Sequence, residues 1–224
     1  MNTAVRATAT AIYGLAAVGL LLFLPAGTFN YWQAWVFIAT STVSTTVPSV
    51  YLARTNPAAL RRRMQGGPQG ETRTLQKIAI TGAIVAFVGM LMFSAYDHRM
   101  GWSQLPAWLC LVGDALVALG LCIAMLVVIQ NGYAAANITV ETGQTVVSTG
   151  LYRLVRHPMY AGNAIMMVGI PLALDSYWGL LFAIPGVAVL VVRILDEEKM
   201  LAQELAGYRE YTQRVRFRLL PNVW

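Results

Sequence analysis

Six apolar runs, most of them near twenty residues long, set the strongest limit on what this chain can fold into. A hydrocarbon core of roughly 30 Å is crossed by about twenty helical residues. Inside lipid a backbone must satisfy its own hydrogen bonds, which a helix does. The runs fall near residues 8–26, 33–53, 78–96, 105–129, 159–174 and 177–194. The fifth is short and broken by Gly and Pro, so it is expected to be tilted, bent or only partly spanning. Of 224 residues, 57% are hydrophobic and 12% charged, about half the charged share of an ordinary soluble domain. No signal-peptide cleavage pattern precedes the first run, so that helix is expected to be retained. The expected fold class is all-α: a polytopic transmembrane helical bundle forming one integral membrane domain over 1–224, with the N-terminal spans in 1–129 and a distinct second half in 130–224.

Charge placement gives the bundle a direction. The loop "RTNPAALRRRMQGGPQGETRTLQK" carries Arg54, Arg61, Arg62, Arg63, Arg73 and Lys77, offset only by Glu71. With six spans this loop shares a side with Arg6, the 130–158 segment and the C-terminal tail, leaving Arg99 alone opposite among 16 Lys and Arg. The positive-inside rule makes the crowded side, with both termini, cytoplasmic. The net charge of +6 then reflects topology and anionic membrane lipids. Nucleic acid is excluded as a partner, because no soluble basic platform exists.

Outside one region the chemistry is sparse. Cys110 and Cys122 lie in the fourth run at a spacing that matches no metal or redox pattern, and no metal site is expected. Asp114, in the same run, is expected to make an interhelical hydrogen bond. His98, in "YDHRMG", is expected to be a solvated loop residue. The 54–77 loop, centred on "QGGPQG", is expected to be the main flexible linker. Gly- and Ala-rich faces of the first and fourth runs permit close helix contacts.

The second half is different. Residues 130–158, "QNGYAAANITVETGQTVVSTGLYRLVRH", are long for a mere connection and suggest a working loop, with short extended pieces at "ITV" and "TVV". Pro158 suits the first turn of the next helix. His157 is thereby held at a helix N-terminus, where backbone N–H groups face outward. Tyr160 adds a ring and a hydroxyl, and Gly162 admits a close approach to the backbone. Farther on, "VVRILDEEKMLAQELAGYREYTQRVRFRLLPNVW" places Arg193 and Glu197 four residues apart on one helix face, flanked by Asp196 and Glu198. "GYREY" and "RVRFRLLP" mix aromatics and cations as a headgroup-level tail would.

Together, "GLYRLVRHPMYAG", an apolar stretch and "RILDEEKML…GYREY…VRFRLLP" resemble the C-terminal signature of the isoprenylcysteine carboxyl methyltransferase family, over about residues 144–224. The resemblance implies a membrane methyltransferase that uses S-adenosylmethionine, bound by the 130–224 half on the cytosolic side. It implies cofactor contacts from Gly150, Leu151, His157, Pro158, Met159, Tyr160 and Glu197. It makes Arg193 the catalytic and substrate-binding residue, engaging an acceptor carboxylate. The family's additional arginine before this loop has no counterpart; Gln130 and Asn131 stand there.

The residues are compatible with that chemistry. A sulfonium suits aromatic faces, and its amino and ribose groups suit Glu197. In-line methyl transfer needs alignment and desolvation more than acid–base groups. Arg193 can orient an ionised carboxylate through paired hydrogen bonds, whereas a thiol would need a base. The expected acceptor is lipophilic or small, a carboxylate before a thiol or a phospholipid amine. An NADPH-dependent reductase-like protein and a non-catalytic membrane sensor or assembly protein are the readings of other classes.

Overall fold

The computed structural model describes residues 3–64, 67–71, 73–134, 140 and 143–224, with side chains from Ile12 onward except Met64. Among the described residues, eight α-helices carry the architecture. They are α1 (Thr3–Ala26), α2 (Trp32–Thr55), α3 (Pro57–Met64), α4 (Thr74–Met100), α5 (Ala107–Gln130), α6 (Pro158–Ala173), α7 (Ala183–Glu204) and α8 (Tyr208–Arg214). The described residues include no β-strand. Residues 144–148 run without regular structure, so "TVV" forms no strand, while most of "ITV" lies outside the described residues.

Each expected span is a helix. Among the described residues, α2, α4, α5 and the Trp178–Glu204 stretch are long and apolar enough to cross a membrane, as befits an integral membrane protein. α6, the fifth span, has 16 residues, or about 24 Å at 1.5 Å per residue. α7 extends ten residues beyond the apolar run and ends at Glu204. Arg193 and the acidic residues 196–198 therefore continue the last spanning helix. α2 carries several hydroxyls on a mostly exposed surface, and they bond back to their own helix: Thr42 donates to Ile38 O at 2.6 Å and Ser49 to Thr45 O at 2.7 Å. Such back-bonding lets hydroxyls face an apolar medium.

The antiparallel pair α5–α6 forms the spine. A Cβ on Gly162 would lie 2.8 Å from Gly120 O, and one on Gly169 would lie 2.9 Å from Gly113 O. Only glycine lets the two backbones come this close. The small residues of the fourth span thus serve an intramolecular contact, and Gly162 is occupied by α5. Around the spine, Leu22, Phe37, Leu91, Val117, Ile170 and Leu174 build the main core.

The end that carries Arg99 is closed by buried polar groups. Asp97 accepts from Ser103 Oγ at 2.7 Å and from Ser176 Oγ. Asp175 accepts from Gln33 Nε2 at 3.1 Å and from Leu105 N–H at 2.6 Å. His98 belongs to this cap and is not a solvated loop residue: its ring stacks on Tyr31 at 3.8 Å, and its Nδ1 lies 3.5 Å from Asp175. The other end gathers α3, residues 131–134 and 143–157, and the C-terminal tail.

Two further expectations are corrected. Asp114 is buried, at 5% exposure, and neither carboxyl oxygen has a hydrogen-bond partner. The expected interhelical bond is therefore not made. The 54–77 loop is no simple linker. It holds α3 and a 3-10 turn (Pro68–Gly70). It then docks on α7, where Arg73 Nη2 meets Asp196 Oδ1 at 2.6 Å and Gln76 Nε2 donates to Asp196 Oδ2 at 2.6 Å.

Two predictions follow from the packing. Gly113→Ala pushes a methyl into the Leu172–Ala173 backbone and is expected to cost about 1–3 kcal/mol, while Gly19→Ala, which meets nothing within 4 Å, leaves the thermal midpoint in detergent unchanged. Asp114→Val removes a buried carboxyl without partners and is expected to stabilise by about 1–3 kcal/mol, read as a higher midpoint in the same assay.

Candidate active site

The cation-rich end contains a cavity where four parts of the chain meet. Its walls come from the end of α5 (Val127, Asn131), the 144–147 segment, the corner 156–160, and the α7–α8 region from Arg193 to Tyr211. Pro158 begins α6 and His157 is its N-cap residue, so the corner is a helix start. It is fixed to the tail by backbone bonds: Arg156 N–H donates to Phe217 O and His157 N–H to Arg218 O, each at 2.9 Å.

Glu198 holds the corner to α7. Its Oε1 lies 3.2 Å from His157 Nε2 and 2.9 Å from Arg156 Nε. The Arg156 contact is one of charge, because that N–H is not aimed at an acceptor. Arg218 donates from Nε to Glu198 Oε2 at 2.9 Å. The second glutamate of the pair is thus committed to structure.

The first glutamate faces the cavity. Tyr160 donates its hydroxyl to Glu197 Oε2 at 2.7 Å and accepts from Arg193 Nε at 3.0 Å. Arg193 Nη2 also pairs with Glu71 Oε1 at 2.8 Å. Glu71, at 3% exposure, comes from the turn before α4. A continuous chain therefore runs Glu71, Arg193, Tyr160, Glu197, from the 54–77 segment into the cavity.

The opposite wall is aromatic. Tyr211 donates to Tyr152 O at 2.7 Å, and Asn131 Nδ2 donates to Tyr152 Oη at 3.1 Å. Tyr208 packs 5.8 Å from Tyr211, centroid to centroid. Its hydroxyl is buried, lines the cavity region and has no hydrogen-bond partner. Burial raises the Tyr208 hydroxyl well above its ordinary pKa, so it stays protonated and able to donate.

Of the residues singled out from sequence, His157, Pro158, Met159, Tyr160, Arg193 and Glu197 share this cavity. Gly150 and Leu151 are not among its lining. Gly150 has φ of +59°, with the Gln130 side chain where a Cβ would be, and Leu151 N–H donates to Gln130 Oε1 at 2.9 Å. This pair shapes the loop behind the wall. Tyr208 and Tyr211 correct the reading of "GYREY" as a headgroup-level tail: both are buried. Their spacing of three on one helix was the available signal. Glu71 was marked only by being the lone acid among cations, and nothing in its neighbours foretold its partner 122 residues away.

Known proteins align with this chain. Residues 108–207 match the family model described as phospholipid methyltransferase. The Delta(14)-sterol reductase TM7SF2 of Mus musculus is 31% identical over 90 residues, 39% of this chain and 22% of that protein. The chain thus spans about a fifth of that relative's length. The cobalt-zinc-cadmium resistance protein CzcN of Cupriavidus metallidurans is 26% identical over 168 residues, 73% of this chain and 70% of that protein. The solved structure of the eukaryotic intramembrane Ras methyltransferase ICMT superposes with a TM-score of 0.44 at 17% identity, covering 96% of this chain and 85% of that one. The matched stretch 108–207 contains the corner 156–160 and both glutamates, Glu197 and Glu198.

Proposed function

We propose that this protein transfers a methyl group from S-adenosylmethionine to a lipophilic acceptor, with the cation-rich end and its cavity facing the cytoplasm. The observation that carries the reading is the convergence of the His157–Tyr160 corner with Glu197 on one cavity, with Tyr160 donating to Glu197 at 2.7 Å. The other elements fit such a ligand. Tyr152, Tyr208 and Tyr211 offer flat apolar surface to a base and electron-rich faces to a cation. The unpartnered Tyr208 hydroxyl and the Glu197 carboxylate supply one donor and one acceptor for polar substituents. When bound, the cofactor supplies an activated methyl and leaves as a neutral thioether.

The chain's own residues orient and exclude water. Glu198 holds His157 in place, and Tyr160 fixes Glu197. Arg193 stands at the inner boundary of the cavity, beside the acceptor. The cavity volume is about 120 Å³, below the roughly 300 Å³ of a typical small-molecule site. Loading therefore requires the cavity to widen. The acceptor first expected, a carboxylate on Arg193, has to contend with Glu71, which already balances that charge at 2.8 Å. The reading is accordingly a methyltransferase for a membrane-borne acceptor, whether carboxylate, thiol or phospholipid amine.

Calorimetric titration of the purified protein tests this. S-adenosylmethionine is expected to bind, NADPH not to, and Glu197→Gln to weaken the cofactor about tenfold, the scale of one charge-assisted hydrogen bond. Absence of binding, or unchanged affinity in Glu197→Gln, refutes the assignment. Glu198→Gln leaves the lining side chains in place but frees the corner; it is expected to lower stability by about 2 kcal/mol and to weaken the cofactor as well.

A further inference from the structure

Three consecutive arginines on α3 meet three different fates. Arg61 is exposed. Arg62 donates from Nη1 to Gly132 O at 3.2 Å and lies 5.1 Å above the Tyr133 ring. Arg63 turns inward. Its Nη1 meets the Met159 thioether at 3.1 Å, and sulfur is a weak acceptor for one of five guanidinium N–H groups. Burial pushes the Arg63 guanidinium below its ordinary pKa.

Among the described residues no carboxylate pairs with Arg63. The neighbouring acids are committed elsewhere: Glu71 to Arg193, Asp196 to Arg73 and Gln76, Glu198 to Arg156, His157 and Arg218, while Glu197 accepts from Tyr160. Arg63 is half-buried, and a cation partly taken from water without a counter-ion is costly unless something completes it. Arg193 has its counter-ion; among the described residues Arg63 has none.

Two features say what completes it. Met159 lines the cavity and also touches Arg63, which does not line it, so the guanidinium sits behind the cavity wall. Around Met159 lies an apolar cluster from α2, α3 and α5, including Leu52, Ala59, Leu60, Met125 and Val128. A cation beside apolar side chains, at the end of membrane helices, matches an amphiphile with an anionic head.

We propose that Arg63 is the anion anchor of the methyl acceptor, receiving the carboxylate or phosphate of a membrane amphiphile whose chain lies along the α2–α3–α5 cluster. Naming that amphiphile the acceptor rests on the methyltransferase reading; the anion site itself does not. Arg63 is a specificity-determining residue that touches the acceptor's head, while Arg193 keeps Tyr160 and Glu197 in place.

The full-length protein in neutral detergent is titrated with hexadecanoate, hexadecyl phosphate and hexadecanol, each displacing a fluorescent fatty acid, and separately with S-adenosylmethionine. The wild type is expected to prefer the anionic probes over the alcohol by about tenfold or more, the stronger of the two identifying the head group. Arg63→Gln abolishes that preference, Arg63→Lys keeps part of it, and Arg61→Gln keeps all of it. The affinity of Arg63→Gln for S-adenosylmethionine stays at the wild-type value, which also reports intact folding. An anionic preference absent from the wild type, or undiminished in Arg63→Gln, overturns the proposal. Anionic probes bound by a wild type that ignores S-adenosylmethionine leave the anchor standing and remove the methyltransferase reading.

Discussion

The grip of Glu198 on two arginines and a histidine is the constraint from which the cation-rich end takes its shape. Its two oxygens reach Arg156 and His157 on the corner and Arg218 on the tail. Without it, the start of α6 would be held to α7 through Tyr160 alone, by its bonds with Glu197 and Arg193, and the tail would have only its backbone bonds to the corner. Two guanidinium groups on one carboxylate leave a local excess of positive charge, and part of the group remains near solvent, with the Arg218 side chain 28% exposed. That partial exposure keeps the desolvation cost of such a cluster moderate.

Beneath this grip the α5–α6 spine supplies rigidity of another kind. Gly113, Gly120, Gly162 and Gly169 let the two backbones approach closely, with Leu116, Ile123 and Met166 packed beside them. In lipid, where apolar surface gains little by turning inward, such close van der Waals packing is what holds helices together. The corner is thus mounted on the stiffest pair in the bundle, while the facing wall, 144–147, has no regular structure. One side of the cavity is fixed and the other can yield.

Much of this was legible in the sequence because membrane helices declare themselves by length and apolarity. The spans, the clustering of arginines at one end and the start of α6 at Pro158 all follow from patterns of one segment at a time. Arg193 and Glu197 shared a face through simple helical spacing. What escaped was decided between segments. Glu71 looked like a stray acid until the 67–73 turn folded onto α7. Arg63 was one of three equal arginines until α3 set its direction. Asp114 misled because a buried acid usually finds a donor, and here neither carboxyl oxygen has one. His98 misled because "DHRMG" reads as a turn, whereas the helix runs through it and ends only at Gly101, whose φ of +65° caps it.

The shortness of α6 has a consequence for depth. Gly120 and Gly162 lie level with one another; from there α5 runs on ten residues to Gln130, while α6 reaches back only four to Pro158. At 1.5 Å per residue the start of α6 falls roughly 9 Å short of its neighbour's end. The corner is therefore sunk like the floor of a well, with α5 and α7 as its rim. A water-borne molecule has to descend into it, and a lipid tail alongside is already at its level.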